Sequence, residues 1–207
     1  MQPLNAGERA AIEKAIARAE KKTSGEIVVI VTRASARYFA IGLLWAALIA
    51  LSVPLPLILF TNWPVEQIYL AQLAVFALGL ALILWDPLRF TLVPKSVKRA
   101  EAHKRAVEEF LAQDLHTTTG RTGLLIYVSF AEHFAGLIAD NAIDKKVSHE
   151  TWEDVIRDLT DHLGRGEYEK GLISSVEACG KLLAKHFPPG SQDADQLPNH
   201  LIVRDAG

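Results

Sequence analysis

The chain has 207 residues, with 22 Lys and Arg against 24 Asp and Glu, for a net charge of −2 with histidine neutral. Half of its residues are apolar, high for a soluble protein, while 22% are still charged. No basic stripe interleaved with aromatics supports a nucleic-acid partner, and a single cysteine, Cys179, excludes an intramolecular disulfide.

The first element is a helix. Asn5 and Glu8 have capping-box spacing, and Ile12, Ile16 and Ala19 then mark one helical face to about Lys22. Thr23-Ser24-Gly25 stops it. Glu26 to Thr32 is β-branched and nearly all apolar, the pattern of a strand buried on both faces.

Two apolar runs follow, Tyr38 to Phe60 and Ile68 to Trp85, and neither contains Asp, Glu, Lys, Arg or His. They hold about 23 and about 18 residues, against roughly 17 to 25 for a helix that crosses a bilayer. The interval Thr61 to Gln67 is long enough only for a tight turn, so the pair is expected to be a transmembrane hairpin. Pro54 and Pro56 suit that reading, because a membrane helix tolerates prolines when its neighbours re-satisfy the freed backbone groups. Trp45, Trp63, Tyr69 and Trp85 include candidates for an interfacial aromatic belt. Lys and Arg flank both outer ends, from Arg9 to Arg37 before and from Arg89 to Arg105 after, while the turn carries only Glu66. The positive-inside bias therefore places both termini in the cytoplasm, in an integral inner- or plasma-membrane protein. Arg37, Arg89 and Lys95 form a collar suited to anionic lipid headgroups, or simply the topology signal.

Beyond the hairpin, Val97, Ala100, Val107 and Leu111 mark the expected inward face of a helix ending near Asp114. Gly123 to Phe130 reads as a second buried strand, with Phe134 to Asp140 pairing to it as a hairpin. Glu132-His133 is then a solvated turn. Ser148 looks like a cap for a helix carrying Trp152, Val155, Ile156 and Leu159 at helical spacing. Tyr168 to Phe187 is the last helix, with Leu172, Val176, Cys179 and Leu183 inward. Pro188-Pro189 ends it, and the tail over 189–207 reads as disordered.

The expected fold class is α/β, a small mixed sheet between helices, interrupted by the transmembrane hairpin. Residues 1–32 and 95–188 are the two parts of one domain, and 38–85 is the insertion, with helices over 38–60 and 68–85. A strand, a helical crossover and a second strand favour a parallel pair.

The ordered set of GEIVVIV, Arg121-Thr-Gly-Leu-Leu-Ile-Tyr-Val-Ser129, Ile138-Ala-Asp-Asn-Ala-Ile143, Trp152, Gly166-Glu-Tyr-Glu-Lys-Gly-Leu172 and a last amphipathic helix resembles the TPM domain. The family is named for a thylakoid lumen protein, a photosystem II repair factor and a nematode receptor modulator. The resemblance implies a small sheet between helices. It also implies divalent metal held by acidic loop residues in some members, a phosphatase activity proposed for one relative, and assembly roles in others. Where many members have Asp-Asn-Gly, this chain has Arg121-Thr122-Gly123, and an acid opening the next helix aligns with His149. Asp140 and Glu167 keep their places, so two of four acids are gone, and hard cations want several oxygen ligands.

Asp140, Asp144 and Glu167 are the candidate metal ligands, with calcium the candidate cation and no other cofactor expected. Arg121 either binds an anion or forms a salt bridge with Asp140. No Gly-rich phosphate loop, His-Glu-x-x-His or Gly-x-Ser-x-Gly appears, and nothing assembles an enzyme. The functional expectation is a membrane-tethered, non-catalytic interaction or assembly module, whose partners are the bilayer and a membrane protein or a second copy. The alternative is a metal-dependent phosphatase, with Arg121 clamping the phosphate.

Overall fold

The computed structural model describes residues 4–118, 120–189 and 201–204. In chain order the helices are α1 (Ala6–Glu20), α2 (Phe39–Ser52), α3 (Pro54–Phe60), α4 (Val65–Ile83), α5 (Asp86–Thr91), α6 (Lys95–Ala112), α7 (Asn141–Asp144), α8 (His149–Gly164) and α9 (Tyr168–His186). The strands are β1 (Glu26–Thr32), β2 (Gly123–Ser129), β3 (Phe134–Ala139) and β4 (Leu201–Arg204). The chain divides into two compact units, residues 36–98 and the remainder, so the first is an insertion within the second.

The larger unit is built on a four-stranded sheet of order β3-β2-β1-β4. β1 runs parallel to β2, with Glu26 opposite Gly123 and Thr32 opposite Ser129, and β3 pairs antiparallel to β2. Every residue of β1 and β2 is buried, because both faces of the sheet are covered. Ile27, Val29, Val31, Leu124, Ile126 and Val128 face a core shared with α1, α8 and α9. Val28, Ile30, Leu125 and Tyr127 face the opposite way, against Ala106 and Phe110 of α6.

Local signals account for much of this. Asn5 and Glu8 form both hydrogen bonds of the capping box. Ile12, Ile16 and Ala19 are buried, as are Leu172, Val176, Cys179 and Leu183 of α9. Ser148 does occupy the cap position of α8, but its hydroxyl pairs with Thr151 Oγ1 at 2.8 Å rather than with a backbone amide.

Three expectations are corrected. The inward face of α6 is Ala102, Ala106, Glu109 and Phe110, whereas Val107 and Leu111 are exposed. Small alanines at i and i+4 present the side that docks on a flat sheet, and the larger Val107 and Leu111 are left outside. The tail is not uniformly disordered, since Leu201–Arg204 adds parallel to β1 as an edge strand; residues 190–200 and 205–207 lie outside the described residues. The turn acid Glu132 is buried, because Ser35 N–H donates to its two carboxylate oxygens at 3.0 and 3.1 Å and Ser129 Oγ also donates to it.

The inserted unit contains two helical stretches long and apolar enough to cross a membrane, Phe39–Phe60 and Val65–Ile83. The first is divided at Val53, where Pro54 begins α3 without an amide hydrogen to donate. Ser52 Oγ donates to the carbonyls of Leu48 and Ile49 beside that break. The second begins three residues earlier than its apolar run, with Pro64 as cap and Glu66 in the first turn, where a negative charge favours the helix dipole. α2 packs on α4 through the small residues Gly42, Ala46 and Ala50, one turn apart and all buried. At Gly79 an added Cβ would lie 2.9 Å from Ala46 Cβ, so the helices approach there as closely as backbones allow. Most of the large side chains point away: Leu44 is 57% exposed, Leu51 68% and Phe60 84%, while Ile68 and Ile83 are buried.

Candidate functional site

The candidate residues fall at opposite ends of the sheet. At the start of β2, Arg121 adopts a left-handed conformation with φ 53°, which costs roughly 1 kcal/mol for a residue with a Cβ. Its guanidinium Nε lies 3.1 Å from Asp140 Oδ1 and 3.0 Å from Oδ2. Asp140 is buried and also accepts from Asn141 N–H at 2.7 Å, closing the first turn of α7. Of the two readings of Arg121, the salt bridge is the one the structure contains. Asp144 is exposed on that short helix.

Glu167 sits elsewhere. The neighbouring Tyr168 ring packs edge-on against Phe130, centroids 5.0 Å apart, just beyond the far end of β2. Asp140 is tied to the near end, its N–H donating to Gly123 O at 2.9 Å. A seven-residue strand between them spans roughly 20 Å, whereas calcium–oxygen bonds are about 2.3 to 2.6 Å. Asp140, Asp144 and Glu167 therefore cannot share one cation, and among the described residues no group of three His, Cys, Asp or Glu is placed to hold a metal. Glu167 is instead engaged by Arg165 Nε at 3.3 Å and Lys170 Nζ at 3.4 Å, which hold its carboxyl below the usual range.

The collar also separates. Arg37 and Lys95 are exposed, but Arg89 is buried, with its guanidinium 4.2 Å from the centre of the Phe39 ring and donating to Ile83 O at 3.4 Å. It seals the C-terminal end of α4 rather than facing a headgroup, because an arginine there satisfies a terminal carbonyl and meets the negative end of the helix dipole.

The end of the sheet where β1, β2 and β4 finish gathers polar groups that no linear motif announced. Tyr127 OH and Ser35 Oγ are 3.0 Å apart, and burial raises the phenol's pKa, so Tyr127 stays protonated. Glu109, 3% exposed, is held between Arg105 Nη2 at 2.8 Å and Arg204 Nη2 at 3.0 Å. These two arginines, Tyr127 and Thr32 line a cavity of about 260 Å³. On the other side of β2, a larger hollow of about 690 Å³ opens between Phe130, Phe134, Thr160, Leu163, Arg165 and Tyr168. These residues come from a turn, a strand and two helices, so only the folded chain assembles them.

The Arg121–Asp140 pair makes a graded prediction. Arg121→Ala should lower unfolding free energy by only about 1 kcal/mol, since the arginine is half-exposed and its ion pair is screened by solvent. Asp140→Ala should cost about 2 kcal/mol, because it removes the α7 cap and leaves a guanidinium unpaired. Chemical denaturation of both variants checks the order; equal losses would mean the ion pair alone matters.

A mixed sheet of order β3-β2-β1-β4, helices on both faces and a helical insertion after β1 define an α/β sandwich with its polar groups at the strand ends. Residues 88–182 match the model of the TPM domain family. Among solved structures, it is similar to the BA42 protein from the psychrophilic bacterium Bizionia argentinensis, determined by NMR. Identity is 23% and the TM-score 0.61, covering 97% of this chain and 95% of that one. That likeness shows a shared fold. No curated protein matches the chain.

Proposed function

We propose that the chain is a membrane-tethered TPM domain acting as a non-catalytic interaction and assembly module for a membrane complex or for a second copy of itself. The observation that carries this reading is the inserted unit. Its helices meet through glycine and alanine and turn most of their leucines and their tryptophans outward, the reverse of a soluble helical pair and the arrangement that lipid favours. A domain confined to a membrane meets membrane partners at a raised effective concentration. Arg37 and Lys95, exposed at the two ends of the insertion, remain candidates for headgroup contact.

Metal-assisted hydrolysis, the other reading, needs a cation positioned to polarise a phosphoryl oxygen or to generate hydroxide. The separation of Asp140 from Glu167 by the length of β2 argues against it.

Tagged protein extracted in mild detergent after crosslinking in its native membrane should run as a discrete species heavier than the monomer. Recovery of only the bare monomer, under conditions that preserve other membrane complexes, would overturn the assembly reading.

A further inference from the structure

The hollow beside Phe130 and Tyr168 does not end there. A second hollow of about 460 Å³ shares His133, Phe134, Ala135 and Thr160 with it, so the two form one groove between the end of β2, β3 and helix α8. The larger part, about 690 Å³, falls within the roughly 300 to 1,000 Å³ typical of small-molecule sites. It lies at the C-terminal end of β2, the end at which open α/β sheets place their ligands.

The groove has two chemically different halves. The larger half is walled by Phe130, Phe134, Leu163 and Tyr168, flat or branched apolar surfaces that suit an apolar body. The smaller half is walled by Arg99, His133 and Arg157, and Arg165 stands at the edge of the larger half. Against these basic side chains the lining contains one acid, Glu153, which lies 3.4 Å from His149 outside the groove. Arg157 is paired with Asp154 at 3.0 Å and Arg165 with Glu167 at 3.3 Å. The side chains of Arg99 and His133 have no hydrogen-bond or ion-pair partner among the described residues. An unpaired guanidinium beside a low-dielectric wall attracts and orients an anion.

We propose that this groove binds a small amphipathic organic anion, with its apolar body between Phe130, Phe134 and Tyr168 and its carboxylate or phosphate head in the Arg99–His133–Arg157 half. Such binding is independent of membrane tethering and of assembly, and either can fail without the other. The groove closes between elements of the larger unit alone.

The test uses the full chain in lipid nanodiscs, with empty nanodiscs as blank, and three probes followed by ligand-observed NMR: phenylacetate, phenyl phosphate and the uncharged phenylacetamide. Both anions should bind, the tighter of the two identifying the preferred head group, and the amide should bind roughly tenfold more weakly, the usual scale for losing a charge-assisted contact. Arg99→Gln should reduce anion affinity roughly tenfold while leaving amide binding unchanged, again the loss of one charged partner. Thr160→Trp, which fills the groove from an exposed helical position, should abolish binding of all three. Circular dichroism and melting of each variant establish that it is folded. Amide binding as tight as anion binding, no binding of either anion, or a folded Thr160→Trp variant that binds unchanged would each overturn the proposal.

Discussion

A cysteine placed at Asn62 should react with a membrane-impermeant maleimide in intact cells, while cysteines placed at Lys21 or Ser191 should react only after lysis. The expectation has two independent grounds. Lys and Arg flank both outer ends of the inserted unit and are missing from its turn, the bias that places those ends in the cytoplasm. Separately, β1 and β2 are hydrogen-bonded neighbours in register from Glu26–Gly123 to Thr32–Ser129. The segments that precede and follow the hairpin therefore belong to one sheet, and a membrane cannot pass between them. An odd number of crossings would tear that sheet apart. The native thiol will not interfere. Cys179 is fully buried, and burial pushes its pKa up to about 12, so at neutral pH almost none of the reactive thiolate exists. A Cys179→Ser background controls for any unfolded material. Labelling of Ser191→Cys from outside intact cells would sink the two-crossing arrangement.

Replacing Gly123 by alanine should be among the most damaging single changes to the larger unit, costing about 3 kcal/mol, at the top of the usual range for overpacking. A Cβ built on Gly123 would lie 2.3 Å from the carbonyl oxygen of Leu115 and 2.9 Å from its carbonyl carbon. These are backbone atoms of a turn whose Leu115 side chain is itself fully buried. No rotamer change relieves the clash. Either β2 shifts away from its pairing with β1, or the turn moves and Leu115 leaves the core. Gly164→Ala is the matched control, since nothing lies within 4 Å of its added Cβ. That change should be neutral or slightly stabilising, as alanine is the better helix former. Comparable denaturation midpoints for the two variants would show that the close approach at Gly123 is unimportant.

Gly123 also shows how sequence and structure divide the account. It was recognisable as part of Arg121-Thr122-Gly123, yet only the fold reveals the Leu115 carbonyl that forbids a side chain there. The same division runs through the chain. Short-range patterning determined the two apolar helical stretches, the buried strands β1 and β2 and the inward faces of α1 and α9. In each case the signal is a run or a period of hydrophobic residues, which any segment carries within itself. The inward face of α6 is not legible in the sequence, because its long side chains, Val107 and Leu111, outweigh the small Ala102 and Ala106 in hydrophobicity, while docking on a sheet selects the side that fits closest. The tertiary structure alone decided that Leu201–Arg204 completes the sheet, that Glu132 is buried and that Arg89 is sealed against Phe39. It alone set Asp140 and Glu167 at opposite ends of β2 and closed one groove from residues as distant in sequence as Arg99 and Tyr168. Each of these depends on which distant segments become neighbours, and no local period of hydrophobicity encodes that.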